Sequence, residues 1–555
     1  MSRNYPHYEV IEYDTIPQMV EAFKGKNGNY GSARALVFYD NQGNEYTYNY
    51  SRLHGDVRAL ANGLIARGLS GKHIALASEN RYEWMVAFLA IACSGSVAIC
   101  LDVEQKGEVI WDMIAKGDGQ ILFCSPLVAE HLAEKRLPLV CFSGYGKIPG
   151  EYISFSDMLV RGADFESENP SALDDVAIER DTPAAIFYTS GTTSSSKPVV
   201  LSHYNIMYNA CHAQQLVTLG GSMFTSLPFY HTYSLVAGVL DMLSQGGVVG
   251  ANGSFKYIFR DILLFKPVTL FAVPLLVDTI ARYVRTGEEK KGIAKKADMA
   301  VARYRKLSRF LKSPRTMDHP GVKEVLGESV KIIISGGAHL SEETAMRLSA
   351  YGLLIIQGYG ITECSPLISV NRNEFNKIGS VGQVIPGMQV RIEDGEICVK
   401  GPSVSSGYYK NEEYTALAFK DGWFMTGDIG YLDKDGFLYI NGRKKSLIVF
   451  SNGKKISPEE IEIKLMECPY VKEVVAYGAS SGQSADDVKL AVIVHPNPEK
   501  IVGMQPYEVL HSIQNEVDRM NLGQPPFRKI QIVKLSETPF ERTSTKKIKR
   551  EGIVQ

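Results

Sequence analysis

The chain has no pair of cysteines at the spacing of a zinc ribbon or a redox dithiol; its eight cysteines lie scattered at 93, 100, 124, 141, 211, 364, 398 and 468. That argues against a disulfide framework and predicts reduced, buried thiols of a cytoplasmic kind. Net charge is also nearly absent. Sixty Lys and Arg face 61 Asp and Glu, so no overall field draws the chain to nucleic acid or to an anionic membrane. Long apolar runs are missing too. The longest, Met85 to Cys100, spans 16 residues, is broken by Ser94, Gly95 and Ser96, and falls short of the roughly 18–20 that cross a bilayer. No transmembrane segment is expected, and the run predicts a buried helix leading into a strand. The N-terminus lacks the apolar core of a signal peptide, which again predicts a cytoplasmic location. No internal repeat occurs. The turn Asp433 to Gly436 has no EF-hand spacing after it, which removes a calcium loop.

What is present is the profile of a soluble globular enzyme: 555 residues, 45% apolar and 22% charged, enough for two to four structural units. Residues 47–68 carry apolar side chains at helical spacing, HIALAS at 73–78 is a short strand, 81–93 is helical again and SVAICL at 96–101 is a strand. Further strands are predicted at 184–189, 223–228, 268–273 and 331–335. This alternation predicts parallel sheets with crossover helices. Past about residue 380, short strands broken by Gly and Asp predict antiparallel hairpins. After 442–446 (GRKKS) a β/α unit of about 110 residues closes the chain. Residues 281–316 carry twelve Lys or Arg against three Asp or Glu, with Val301, Tyr304, Leu307 and Leu311 at helical spacing. Two readings stand: a docked helix with a solvated basic face, or a surface for an acidic carrier protein, coenzyme phosphates or anionic lipid.

Four clusters carry chemistry. Tyr188 to Val200 (YTSGTTSSSKPVV) runs from a strand into seven hydroxyl residues interrupted by one glycine, followed by Lys197. Backbone N–H groups and hydroxyls of such a loop can wrap phosphate oxygens while the lysine supplies charge; the bland alternative is a Ser-rich linker. It is not a Walker A loop, because Ser196 and Pro198 stand where that motif needs Gly and Ser/Thr. Gln357 to Pro366 (QGYGITECSP) sets Tyr359 between Gly358 and Gly360, where its ring can lie on a base. Thr362 and Glu363 follow as oxygen ligands suited to Mg²⁺, or as a plain strand-to-helix turn. Trp423 to Lys445 offers Asp428 to two vicinal hydroxyls and Arg443 as a rigid donor fork, unless the two form an ordinary ion pair. Pro539 to Arg550 is a basic tail.

In this order and spacing the clusters resemble the adenylate-forming superfamily of acyl-CoA synthetases, peptide-synthetase adenylation domains and beetle luciferases. Its YTSGTTGxPKG loop is similar to Tyr188–Pro198, its YGxTE to Tyr359–Glu363, its TGD to Thr426–Asp428, its GRxK to Gly442–Lys445, and its C-terminal lysine to Lys547. The nearest branch is the long-chain fatty acyl-CoA synthetases. The resemblance implies an α/β fold: a large N-terminal domain of βαβ-type sheets plus an antiparallel β region over 1–442, a hinge at 443–446, and a small mobile α+β C-terminal domain over 447–555. It implies that a carboxylate attacks the α-phosphate of ATP with Mg²⁺, and that a thiol, usually of coenzyme A, then displaces AMP. Thr189, Ser190, Gly191, Thr192, Thr193 and Lys197 would hold the phosphates, Glu363 the metal, and Tyr359 with Gln357, Gly358, Gly360 and Thr362 the adenine side. Asp428, Ile440 and Arg443 would hold the ribose. His231, Gly336 and Gly337 match the acyl pocket, although His231 is equally a satisfied core histidine by its residue type alone. Lys547 would neutralise charge in adenylation, Lys445 would be the pivot, and Gly453 would admit the pantetheine.

Departures from the family pattern are Ser194, Ser196 and Pro198 in the phosphate loop and Lys546 before the catalytic lysine, which brings Lys546 and Lys549 into competition with Lys547. The expected function is a ligase that joins a medium- or long-chain fatty acid to coenzyme A. Its rivals are a ligase that loads an acyl carrier protein and a non-catalytic adenylate-binding regulator. Peripheral membrane contact stays open.

Overall fold

A computed structural model describes residues 6–25, 30–144, 146–148, 150–189, 196–252, 254–308, 315–450, 454–480, 488–543, 548–550 and 553. The helix Tyr82–Cys93 is apolar at nearly every position and so has no face to give to water; every residue except Glu83 is buried. It leads into the strand Val97–Cys100, as the apolar run predicts. That strand lies between His73–Ala77 and Pro183–Tyr188, parallel to both. With Ile121–Cys124, Leu139–Cys141 and Ile153–Ser154 on one side, and Pro198–Ser202 and Gly407–Tyr408 on the other, these make a first sheet of eight described strands.

A second sheet has at its centre the parallel strands Val248–Ala251, Ser222–Thr225, Thr269–Ala272, Ile332–Ser335 and Leu354–Gly360. Leu36, Val249 and Phe271 of this sheet share one core with Ile74, Ala98 and Phe187 of the first and with the Tyr82–Cys93 helix. Burial of this continuous apolar surface fixes the two sheets against each other. Past residue 380 the chain turns antiparallel, with Gln389–Glu393, Glu396–Lys400 and Trp423–Leu432 in one sheet and Leu438–Arg443 paired to the last. Residues from Ile448 to Leu535 form a core of their own around three strands and the helices Pro458–Leu465 and Pro506–Asn521.

The basic stretch folds mainly as two helices, Pro274–Lys290 and Ala294–Leu307. Ala297 and Val301 are buried, Tyr304 is partly so, and Leu311 lies outside the described residues. Arg285 pairs with Glu288 at 3.0 Å and Asp298 at 2.8 Å, while Lys295, Lys296, Arg303, Arg305 and Lys306 face water. The described part of the stretch is thus docked by its apolar side and keeps its basic residues on the surface, a geometry common to both readings. All eight cysteines are free and buried. Among the described residues no helix is long and apolar enough to cross a membrane.

Candidate active site

The loop after Tyr188 and the segment Tyr359–Glu363 lie at the C-terminal ends of the parallel strands Pro183–Tyr188 and Leu354–Gly360, one in each sheet, whereas Asp428 and Arg443 lie within the antiparallel sheet. The strand Pro183–Tyr188 pairs antiparallel with Pro198–Ser202, Tyr188 opposite Pro198. The loop between them is clasped at its ends. The Thr189 N–H donates to the Lys197 carbonyl at 3.2 Å, the Lys197 N–H to Thr189 Oγ1 at 3.3 Å, and Ser196 Oγ to the Thr189 carbonyl at 2.8 Å. Ser190, Gly191, Thr192, Thr193 and Ser194 lie outside the described residues. Lys197 Nζ sits 3.9 Å from the Tyr414 ring centre and 5.2 Å from that of Tyr408, within cation–π range. Burial and then the like charge of Lys445 hold its ammonium below the usual lysine range, against the pull of Glu363. Lys197, Lys445 and Glu363 therefore share one electrostatic neighbourhood.

Glu363 lies on the short turn Thr362–Cys364 that follows Leu354–Gly360. That strand passes so close to its antiparallel partner that a Cβ on Gly360 would stand 2.3 Å from the Pro366 carbonyl, so only glycine fits. The Glu363 carboxylate accepts from the Tyr408 hydroxyl at 2.7 Å. Burial raises its pKa, which the Tyr408 hydrogen bond and the charges of Arg443 and Lys197 oppose. Among the described residues no group of three or more His, Cys, Asp or Glu forms a metal cage. A single partly buried hard carboxylate beside a lysine suits a Mg²⁺ ion held jointly by the protein and substrate phosphates, the usual mode for this cation.

Asp428 and Arg443 face each other across Trp423–Leu432 and Leu438–Arg443. Asp428, 4% exposed, accepts from Arg443 Nε at 2.9 Å and from the Tyr359 hydroxyl at 2.6 Å, so the Tyr359 ring and the Asp428 carboxylate are joined directly. Its N–H donates to Thr426 Oγ1 at 3.0 Å. Ile440 is partly buried on the same strand as Arg443. The residue types do not flag Glu396, yet it accepts from the Gly427 N–H at 2.9 Å and pairs with Lys444 at 2.6 Å, holding the Thr426–Asp428 turn.

Beyond the strand Ser222–Thr225 of the second sheet, His231 precedes the turn Thr232–Ser234, its ring centre 4.7 Å from that of Tyr230. Tyr233, which nothing in the sequence singles out, donates its hydroxyl towards the carbonyls of Ala272 at 3.2 Å and Ile334 at 3.3 Å, bridging the ends of two strands. A Cβ on Gly336 would stand 2.9 Å from the Tyr233 ring, and Gly337 takes a φ of +83°; here glycine serves close approach and turn alike. The buried Gln357 accepts at its carbonyl from the Asn371 N–H at 2.9 Å, and Gly358 runs beside it against Val370. Gly453, Lys546 and Lys547 lie outside the described residues. Arg542 and Ile548 on either side of Lys547 form an antiparallel bridge, and the Lys549 N–H donates to the Glu541 carbonyl at 2.8 Å.

The sequence profile of the AMP-binding enzymes matches residues 23–409, and that of their C-terminal domain matches residues 445–555. The chain belongs to the AMP-binding enzyme family. A long-chain-fatty-acid–CoA ligase of Salmonella typhimurium is 31% identical to this AMP-binding enzyme over 533 residues, covering 87% of each chain. A long-chain-fatty-acid–CoA ligase of Mycobacterium bovis is 28% identical over 493 residues, covering 85% of this chain and 81% of its own. The crystal structure of the anthranilate CoA ligase AuaEII with anthranoyl-AMP superposes with a TM-score of 0.75 over 99% of this chain and 97% of its own, at 19% identity. This AMP-binding enzyme is an AMP-forming acyl-CoA ligase of the adenylate-forming superfamily, and the substrates and cofactor of its class are a carboxylic acid, ATP, coenzyme A and Mg²⁺.

Proposed function

We propose that the chain activates a medium- or long-chain fatty acid as its acyl adenylate and passes the acyl group to coenzyme A. The carrying observation is the convergence of Lys197, Glu363, Asp428, Arg443 and Tyr359 from different strands and turns of the fold: Tyr408 touches both Lys197 and Glu363, Asp428 accepts from both Arg443 and Tyr359, and the charges of Lys197, Glu363, Arg443 and Lys445 act on one another. The Salmonella and Mycobacterium relatives, both long-chain-fatty-acid–CoA ligases, support the acid class.

In this reading the carboxylate attacks the α-phosphorus, the bond to the β-phosphate oxygen breaks, and pyrophosphate leaves. A carboxylate is a poor electrophile; adenylation gives its carbonyl a good leaving group. Thr189 and Lys197 hold the phosphates, with Ser190, Gly191, Thr192 and Thr193 completing the loop. Glu363 holds the Mg²⁺, which supplies charge neutralisation on the phosphate oxygens. Tyr359 with Gln357, Gly358, Gly360 and Thr362 forms the base side, and Asp428, Ile440 and Arg443 take the ribose hydroxyls. His231, Gly336 and Gly337 border the acid. Lys547 offsets charge growing on the α-phosphate. Residues 1–442 act as one domain and 447–555 as another, turning about 443–446 at Lys445 to withdraw Lys547 and bring Gly453 to the pantetheine. The boundary of the matched C-terminal profile and the separate core of residues 448–535 support that division.

The test is pyrophosphate release with ATP and Mg²⁺ across free acids from acetate through aryl acids to palmitate, with and without coenzyme A. The reading expects release with medium or long chains and thioester only when coenzyme A is present. Release confined to aryl acids, or thioester forming only on an acyl carrier protein, would overturn it.

A further inference from the structure

Tyr408 lies on the two-residue strand Gly407–Tyr408, stitched antiparallel to Pro198–Ser202 with Tyr408 opposite Val199. Side chains two apart on a strand share a face, so Tyr408 emerges on the same face as Lys197, diagonally across the pair. Its placement is over-determined. The Tyr408 N–H donates to Thr415 Oγ1 at 3.1 Å, the Tyr409 N–H to the Pro198 carbonyl at 2.8 Å, and the Tyr409 hydroxyl to Asp118 at 2.8 Å. A Cβ on Gly407 would collide with Thr415 at 2.5 Å, so the helix Glu412–Ala418 sits directly on this strand. That helix, capped by Asn411, carries Tyr414 to within 3.9 Å of Lys197 Nζ. The Tyr408 ring is 5.2 Å from the same ammonium, and its hydroxyl donates to Glu363 at 2.7 Å.

We propose that Tyr408 is a positioning residue that sets the lysine and the carboxylate of the phosphate site relative to each other, its ring under Lys197 with Tyr414 and its hydroxyl fixing the rotamer of Glu363. The inference rests on the nucleotide reading above. One side chain thereby reaches both a phosphate-binding cation and a metal-binding anion, which come from different sheets. A direct Lys197–Glu363 ion pair would satisfy the two charges mutually and close the site to Mg²⁺ and phosphate. With Tyr408 between them, the hydroxyl takes one carboxylate oxygen in a charge-assisted bond and the ring holds the ammonium without neutralising it.

The test is equilibrium binding of ATP at a series of Mg²⁺ concentrations and of AMP in EDTA, to the full-length protein and to Tyr408→Phe and Tyr408→Leu, with ligand-free thermal midpoints recorded for each. Tyr408→Phe keeps the ring and loses only the hydroxyl. The Mg²⁺ midpoint for ATP binding is expected to rise roughly tenfold, the scale of one hydrogen bond to a charged group, while AMP binding in EDTA and the thermal midpoint stay put. Tyr408→Leu should in addition weaken ATP binding in EDTA, because Lys197 loses its support, and again spare AMP. A merely structural tyrosine would move AMP and ATP binding together, which would overturn the proposal, as would an unchanged Mg²⁺ midpoint in Tyr408→Phe. If the unsubstituted protein itself binds ATP with no Mg²⁺ dependence, the nucleotide reading fails and the inference with it.

Discussion

Asp241 is 1% exposed and lies outside the nucleotide site, its carbonyl accepting from Gln214 at 3.0 Å and its carboxylate bonded to the same amide. Burial pushes its pKa well above the usual carboxylate range. A carboxyl whose folded pKa is raised holds its proton more tightly in the folded state than in the unfolded one. Stability is therefore greatest below the unfolded value and falls as pH rises towards the folded value. Asp241→Asn should remove that slope and leave the protein more stable than the unsubstituted chain at neutral pH. Calorimetric unfolding between pH 5 and pH 8 checks this; an equal fall in both proteins would place the slope elsewhere. At this scale Lys197, Glu363, Asp428 and Arg443 are legible in the sequence because each sits in a short continuous motif, YTSGTTSSSKP, YGITE, TGD or GRKK. Tyr408 is not legible. Tyrosine is common in cores, and only the register of a two-residue strand puts it between Lys197 and Glu363.

At the scale of elements, the ends of Thr269–Ala272 and Ile332–Ser335 are closed by the Tyr233 hydroxyl, and the chain turns at Gly336 and Gly337 beneath its ring. Gly336→Ala would push a methyl group to 2.9 Å from that ring, so the ring must move towards the space proposed for the acid. The expected outcome is a KM for the acid raised at least about tenfold with ATP binding unchanged, since a misfit of 1–3 kcal/mol acts only there. Steady-state kinetics with acid varied at saturating ATP, beside ATP binding by calorimetry, measures both; an equal loss of ATP binding would mean that the whole site has shifted. The helix-into-strand reading of Met85 to Cys100 matches Tyr82–Cys93 and Val97–Cys100. The helical pattern from residue 47 begins in fact at Tyr50, because Glu45–Asn49 is taken as an edge strand by Arg34–Tyr39. Three residues of helical periodicity are outweighed by the ladder they join.

For the whole molecule, the proposed division at 443–446 means that one site serves two chemical steps in turn. Lys547→Ala should lower acyl-adenylate formation by at least roughly a hundredfold, the range for loss of a charge that acts in the transition state, yet leave thioester formation from supplied acyl adenylate close to normal. Pyrophosphate release and thiolysis, assayed separately, decide it; equal loss of both steps would assign Lys547 to binding, and no loss would move the role to Lys546 or Lys549. The family, the parallel and antiparallel halves, and most charged site residues are determined by the sequence itself. Periodicity is a local property, and each motif is continuous along the chain. Only the tertiary structure decides that Tyr359 reaches Asp428, that Tyr233 spans two strand ends, and that Tyr408 joins Lys197 to Glu363. Those contacts link residues 39 to 211 positions apart, and they form only when strand register and core burial bring neighbouring strand ends, the two sheets and the antiparallel region together.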